Sequence, residues 1–304
     1  MGDAIKTNRI RCIHAIVLCS AISILVFLAI SDQMLNTPDA IVQEVGWKSY
    51  HMFTILANMF MGLASAMCIP YAVDGLRYDN YHLPRWVVNV LFMATTGVAL
   101  TLLIAITVLS PMTSFYRMML FSNNILFHTI NPILSILLFI FINSDHRVSL
   151  KSSVIAISPV VLYAVLYFVL VFMVGEEHGG WRDHYRIREI TQYIPLPLVV
   201  LGMILIDFLV ATCLRIAHNK VHERRKKELE RSVQQWGESA GPDIPTAIQA
   251  LAAHNRAKDA GGELIVPRRI LTLMEKHYQS GLPMAELCGM YVDAYYQTEG
   301  EAKA

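Results

Sequence analysis

Six long apolar stretches dominate this chain and restrict it to one broad class of fold. Each has the roughly 20 apolar residues that an α-helix needs to cross a bilayer. They lie at about 11–31, 50–73, 86–110, 118–142, 152–174 and 195–217. Only 16% of the 304 residues are charged, and the mean hydropathy is +0.44, whereas about a quarter of the residues of a soluble domain are charged. We therefore predict an all-α polytopic membrane protein with six transmembrane helices.

The basic residues between these stretches predict the direction in which the helices cross the membrane. Most of the lysines and arginines fall in segments on the same side as both termini, including the run at 224–227. Cytoplasmic loops carry this excess of positive charge. The first apolar stretch is longer than the core of a signal peptide and no small-residue cleavage site follows it, which predicts a retained helix. Both termini are predicted to be cytoplasmic, in the plasma membrane if the source is bacterial.

The composition changes after the sixth stretch, which divides the chain into two predicted parts. Residues 1–218 form the transmembrane domain, and residues 219–304 form a helical cytoplasmic C-terminal segment. A charged helix at 222–231 continues the sixth span, and short helical patterns follow the glycines and prolines at 237–245. We expect this segment to dock an unknown cytoplasmic partner. The basic run at 224–227 fits anionic lipid headgroups better than nucleic acid.

His128 is the strongest indication of a site, because it lies within the fourth apolar stretch. An ionisable side chain is costly in hydrocarbon, faces the interior of a helix bundle and typically marks function. Its helix face carries Asn124, His128, Asn131 and Ser135, spaced i, i+4, i+7 and i+11. The second stretch has a matching face with Thr54, Asn58, Gly62 and Ser65. Two matched polar stripes predict a buried polar seam between the two helices.

Counting along the helices predicts that Thr54 and His128 meet. Thr54 is seven residues past Trp47, and His128 is eleven residues past Arg117, which gives ~10 Å and ~16 Å at ~1.5 Å per residue. The difference is within the uncertainty of helix ends and tilt, so we expect contact in the outer half of the membrane. Pro132 lacks the N–H that would bond the carbonyl of residue 128, which predicts a helix opened at the histidine.

Six further residues are predicted to support this pair, with asparagine or tyrosine donors holding the oxyanion: Asn58, Asn124, Asn131, Tyr163, Tyr167 and Asp207. The phenols of Tyr163 and Tyr167 reach the same layer and are candidates to donate to an oxyanion. Asp207, in the sixth stretch, is a candidate to orient the imidazole. Structural alternatives stay open for these polar residues, because asparagines join helices, tyrosines pack, a threonine bonds its own backbone, and Asp207 has Arg215 as a possible partner.

Two short motifs carry a resemblance to a known family. They are Phe-Thr-Ile-Leu-Ala-Asn at 53–58 and His-Thr-Ile-Asn-Pro at 128–132. Together they resemble the androgen-induced / androgen-dependent membrane hydrolases and their bacterial six-helix relatives, over roughly residues 10–217. The resemblance implies a membrane-embedded threonine–histidine hydrolase of fatty acid esters of hydroxy fatty acids. It implies Thr54 as the nucleophile and His128 as its base, with a lipid or fatty-acyl ester as substrate and no cofactor.

A second reading of the same polar residues remains open. A small transporter or proton-coupled sensor would use Asn58, His128, Asn131 and Asp207 along a polar path. The loop at 176–185 is rich in metal ligands and lies near His51 in the predicted topology, but its ligands follow no fixed spacing, so we predict no metal. No cysteine falls in a predicted outer loop, so no disulfide framework is expected.

Overall fold

Six long helices make up most of the computed structural model, which describes residues 2–35, 46–78, 83–143 and 146–239, with side chains from Ile10 to Lys227 except Lys226. In this part of the chain all regular structure is helical. The helices are α1 (Gly2–Leu35), α2 (Phe53–Tyr78), α3 (Arg85–Met112), α4 (Leu126–Ile142), α5 (Leu150–Val174) and α6 (Leu196–Ser239). Short helical turns lie at Gly46–His51, Tyr116–Leu120, Glu176–His178 and Ile187–Ile190.

Five of the six helices are long and apolar enough to span a membrane. These spans are Ile10–Leu35, Phe53–Leu76, Arg85–Met112, Leu150–Val174 and Leu196–Arg225. Many large apolar side chains on them are exposed, as expected of faces turned to lipid. The chain is therefore a multi-pass integral membrane protein. The sixth helix, α4, is apolar but shorter than these five.

The fourth apolar stretch is not one continuous helix, and the predicted range 118–142 is wrong at its start. Phe121 has extended backbone and Ser122 has a positive φ of 51°. Asn124 Nδ2 donates to the carbonyl of Arg117 at 3.1 Å, and Thr129 Oγ1 donates to the carbonyl of Met119 at 2.7 Å. These side chains satisfy backbone carbonyls of the short helical turn Tyr116–Leu120. They hold the segment before α4 folded back on its first turns.

The start of α4 is wound more loosely than an α-helix, in agreement with the effect predicted for Pro132. A π-helical turn spans Leu126–Ile130 and contains His128. The backbone N–H of Asn131 donates a hydrogen bond to the carbonyl of Leu126, five residues back. Since Pro132 has no N–H to give, the ordinary i→i−4 bond to residue 128 cannot form.

Helices α1, α2 and α3 form the packed centre to which the site is attached. At Gly62, α1 approaches α2 so closely that a Cβ would lie 3.0 Å from Val26 Cγ1. Ser23 Oγ donates to the Gly62 carbonyl at 3.0 Å. On another face of α2, Gly97 of α3 lies against Ala57. Helix α3 also contacts α4, α5 and α6, so it is the element around which the others pack.

Helix α6 is longer than the predicted sixth span. It runs through the charged segment 222–231 and past Gly237 to Ser239, so the sixth span does continue as a charged helix. The predicted boundary between residues 218 and 219 falls inside this continuous helix. The helical patterns predicted after residue 245 lie outside the described residues.

Candidate functional site

A buried amide junction joins the first turns of α2 and α4. Asn58 Nδ2 donates to the carbonyl of Thr54 at 2.9 Å and to the carbonyl of Phe127 at 3.2 Å. Asn131 Nδ2 donates to Asn58 Oδ1 at 3.4 Å. Both asparagines are fully buried. One amide group therefore ties the turn that carries Thr54 to the turn that carries His128.

His128 is buried at this junction, with 6% of its surface exposed. The backbone carbonyl of Thr101 on α3 faces the ring. Nδ1 has no hydrogen-bond partner among the described residues. A neutral imidazole has one donor and one acceptor nitrogen. When the other ring nitrogen carries the proton, Nδ1 has the lone pair that a general base needs.

Thr54 is the second residue of α2 and is half-buried. His128 is the third residue of α4, because that helix begins at Leu126. The distance predicted for His128 from Arg117 is therefore wrong, since no single helix joins the two residues. Both side chains lie in the first turn of their helices, and the Asn58 amide links these two turns.

Tyr185, from the loop between α5 and α6, fixes the start of α2. Its phenol oxygen accepts the N–H of Phe53 at 3.0 Å, and the amide of Thr54 faces the same oxygen. The first amides of a helix have no partner within the helix. Burial raises the pKa of Tyr185, so the phenol stays neutral. Sequence reasoning included Tyr185 in the loop but missed this contact, because its partner Phe53 is 132 positions away.

The two tyrosines of α5 do not serve as the predicted oxyanion donors. The Tyr163 hydroxyl donates to the carbonyl of His51 at 2.7 Å. The Tyr167 hydroxyl donates to Asp183 Oδ1 at 2.6 Å. Each phenol has only one proton to give, and each proton is committed to holding the loops together. Their rings pack against Trp181 and Tyr185, with centroid distances from 5.5 to 6.5 Å.

The loop that carries Tyr185 is tightly held on the end of α5. Asp183 accepts the backbone amides of Ile187 and Arg188 at 2.9 and 2.8 Å. Arg188 Nη2 donates to the carbonyl of Val171 at 2.6 Å. A Cβ at Gly180 would collide with the backbone oxygen of Leu170, so only glycine fits there. This loop brings the Tyr185 phenol to the start of α2.

Asp207, Asn124 and Ser135, which were also predicted to belong to the seam or the site, make no hydrogen bond to the His128 ring. Asp207 is fully buried on α6, and neither carboxylate oxygen has a hydrogen-bond partner among the described residues. It therefore does not orient the His128 ring by a hydrogen bond, and it does not pair with Arg215. Asn124 serves the turn before α4 through the Arg117 carbonyl. Ser135 bonds its own helix at the Asn131 carbonyl, at 2.6 Å.

Two of the histidines considered for a metal pack against aromatic rings. His51 stacks on Trp181 with a centroid distance of 4.7 Å, and His184 lies 6.5 Å from His51. Within the described ranges, no group of three or more His, Cys, Asp or Glu side chains is arranged to hold a metal ion.

Comparison with known proteins yields no match for this chain among protein-family models, curated proteins or solved structures.

Proposed function

We propose that this protein is an intramembrane hydrolase of lipid esters, of the fatty acid ester of hydroxy fatty acid type. One observation carries the proposal. The Asn58 amide bridges the carbonyls of Thr54 and Phe127, which ties a hydroxyl-bearing turn to the turn of a buried histidine. The Nδ1 of that histidine has no partner among the described residues. A hydroxyl nucleophile is activated by a base of this kind.

The chemistry follows from these two side chains. His128 takes the proton of the Thr54 hydroxyl while Oγ1 attacks the ester carbonyl carbon. The tetrahedral intermediate collapses and expels the alkoxide, which takes the proton back from the imidazolium. Water, deprotonated in turn by His128, then cleaves the acyl-threonine ester and releases the fatty acid. Thr54 lies at the N-terminal end of α2, where the helix dipole favours developing negative charge.

The proposed topology places this pair near the outer surface of the membrane. All six helices cross, and both termini are cytoplasmic, as the distribution of basic residues favours. Helix α4 crosses although it is short, because ~17 residues is the lower limit for a span. Acyl chains would reach the site between the helices from the outer leaflet. In a bacterial source the membrane would be the plasma membrane.

The test is hydrolysis of a fluorogenic lipid ester by the purified full chain in liposomes. We expect Thr54→Ala and His128→Ala to lower the rate at least ~100-fold, the usual size of a general-base contribution. Thr107→Ala and His14→Ala are matched controls, because both residues are exposed, and we expect them to keep the wild-type rate. An active wild type whose Thr54 and His128 variants keep full rate would show that the site is misassigned.

A second candidate function is favoured by Asp207. A fully buried carboxylate within a membrane helix, without a partner among the described residues, is typical of proton or ion pathways. As a proton-coupled transporter or sensor, the protein would move protons in proteoliposomes, and Asp207→Asn would abolish the flux. Equal flux in wild type and variant would eliminate this candidate.

The C-terminal segment is proposed to dock a cytoplasmic partner. The continuation of α6 through the charged residues 222–231 to Ser239 supports this, because it carries the chain away from the apolar part of the helix. Affinity purification of the full chain and of a variant truncated after residue 239 tests it. A partner lost on truncation supports docking, and identical co-purified proteins contradict it.

A further inference from the structure

The C-terminal end of α4 is bound by basic side chains from two other helices. The last four carbonyls of a helix have no partner within it, and they carry the negative end of the helix dipole. Arg11 Nε of α1 donates to the carbonyl of Ile142 at 2.7 Å. Arg225 of α6 donates to the same carbonyl at 3.2 Å and also to that of Phe141. These carbonyls thus attract cations.

His218 of α6 is the third side chain at this end, and it is 0% exposed. Its Nδ1 lies 2.9 Å from the carbonyl oxygen of Phe139. Its Nε2 lies 2.9 Å from the carbonyl oxygen of His146. Carbonyl oxygens accept hydrogen bonds and cannot donate them, while a neutral imidazole has only one N–H. Both contacts are hydrogen bonds only when both ring nitrogens carry protons.

We propose that His218 is a buried proton-binding site, held as an imidazolium cation that clamps α4 and the following loop to α6. The ring environment fits a cation. The Phe139 ring stacks on the imidazole with a centroid distance of 4.4 Å and an interplanar angle of 22°, and an aromatic face attracts positive charge. Phe92 stacks behind Phe139 at 5.0 Å. This inference is independent of the hydrolase proposal.

Several other titratable or charged groups surround the clamp. From α6, the buried His222 lies one turn further along, and Arg225 caps the same helix end. From α1 comes Arg11. From the loop, His146 is buried, with Nε2 2.9 Å from the carbonyl of Leu83. Asp145 precedes His146 in the sequence and lies outside the described residues. The arginines oppose a third positive charge, whereas the helix-end carbonyls favour it.

The direction of the pH response follows from the hydrogen-bond roles. At low pH the ring is protonated and both carbonyls are satisfied. When the pH rises through the titration of His218, one nitrogen becomes an acceptor, and its lone pair then faces a carbonyl lone pair. One of the two bonds is therefore lost. The same end of the bundle is held by Asn219, which exchanges two hydrogen bonds of 2.8 and 2.9 Å with the backbone of Val148.

Solid-state NMR of the full chain in liposomes tests the charge directly. The protein is labelled with ¹⁵N-histidine and with ¹³C at the phenylalanine carbonyls. A through-space correlation between a ring nitrogen and a phenylalanine carbonyl that remains in a His128→Gln sample identifies His218, because the His128 ring also lies close to the carbonyl of its sequence neighbour Phe127. At pH 7 we expect a one-bond N–H coupling on both ring nitrogens. A single N–H at His218 at that pH would overturn the proposal.

Thermal unfolding between pH 6 and pH 9 tests the consequence. We expect the wild-type Tm to fall with rising pH more steeply than that of His218→Gln, because proton binding to His218 stabilises the folded state. His222→Gln is the matched control, since it removes a buried histidine one turn away, and it should keep the wild-type slope. If His218→Gln keeps the full slope, the pH-dependent clamp is refuted. If that variant does not fold, the NMR measurement on the wild type still decides the charge.

Discussion

At the scale of single residues, the site depends on buried polar groups that each satisfy several partners. The Asn58 amide gives two hydrogen bonds and accepts one. The Tyr185 phenol oxygen accepts a hydrogen bond from the first backbone N–H of α2. In each case, removing the side chain leaves a buried backbone group without a partner, which costs about 1–3 kcal/mol. Asn58 and Tyr185 thus stabilise the folded protein and also hold the first turns of α2 and α4 in place.

Asn58→Leu is expected to destabilise the protein by about 1–2 kcal/mol, because the Phe127 carbonyl loses its donor and Asn131 loses its acceptor. Unfolding in a mixed-micelle denaturant series measures the change. Asn89→Leu, on the exposed surface of α3, is the control and should be neutral. Equal denaturation midpoints for the two variants would mean that the amide junction contributes nothing to the free energy of unfolding.

Tyr185→Phe is expected to cost about 1–3 kcal/mol, because it keeps the ring and removes the acceptor for the Phe53 amide. Hydrogen exchange at the Phe53 amide should rise, while exchange in the middle of α2 stays unchanged. Tyr193→Phe is the control, because Tyr193 is 87% exposed. Unchanged exchange at Phe53 in the Tyr185 variant would contradict the capping role.

At the scale of helices, close packing of α1 on α2 sets where the site-bearing helix lies. The contact at Gly62 depends on the absence of a side chain, since Val26 occupies the space that a Cβ would enter. Val26 is β-branched and has one strongly preferred rotamer in a helix, so it cannot turn aside easily. Small residues permit this kind of approach between membrane helices.

Gly62→Ala is expected to lower stability by about 1 kcal/mol, because the strain against Val26 exceeds the gain in helix propensity. Gly202→Ala is the matched control in α6, where a Cβ meets nothing within 4 Å. That variant should be neutral or up to ~1 kcal/mol more stable. The difference between the two Tm values is the measurement, and equal gains in both variants would contradict tight packing at Gly62.

At the scale of the whole molecule, the short α4 decides the number of crossings. Arg117 precedes α4 and Lys151 follows it, and both side chains are exposed. If α4 spans the membrane, these two positions lie on opposite sides. Labelling in intact cells with a membrane-impermeant maleimide distinguishes the alternatives, with Cys213 and Cys288 replaced by serine in every variant.

Arg117→Cys is expected to be labelled in intact cells, because the proposed topology places it outside. Lys151→Cys should be labelled only after permeabilisation. Arg182→Cys, in the exposed loop between α5 and α6, is the positive control for the outer side. Labelling of Lys151→Cys in intact cells together with Arg117→Cys would show that α4 does not cross.

The helices and their apolar character follow from the sequence because both depend on local composition and period. The polar residues of α2 and α4 were predicted to meet for the same reason, and the Asn58–Asn131 contact confirms this part of the seam. The break at Phe121–Ser122 was missed, although Ser122-Asn123-Asn124 is a polar run within the stretch. Composition over twenty residues does not reveal a turn that a few side-chain hydrogen bonds stabilise.

The sequence by itself determined that this is a helical membrane protein with a histidine and a threonine on facing polar stripes. Only the tertiary structure decided the partners of the tyrosines, of Asp207 and of His218. The His218 ring and the Phe139 carbonyl are 79 positions apart, and the Tyr185 phenol and the Phe53 amide are 132 apart. A hydrogen bond depends on a few tenths of an ångström between groups that only the packed chain brings together. No local pattern in the sequence specifies that distance.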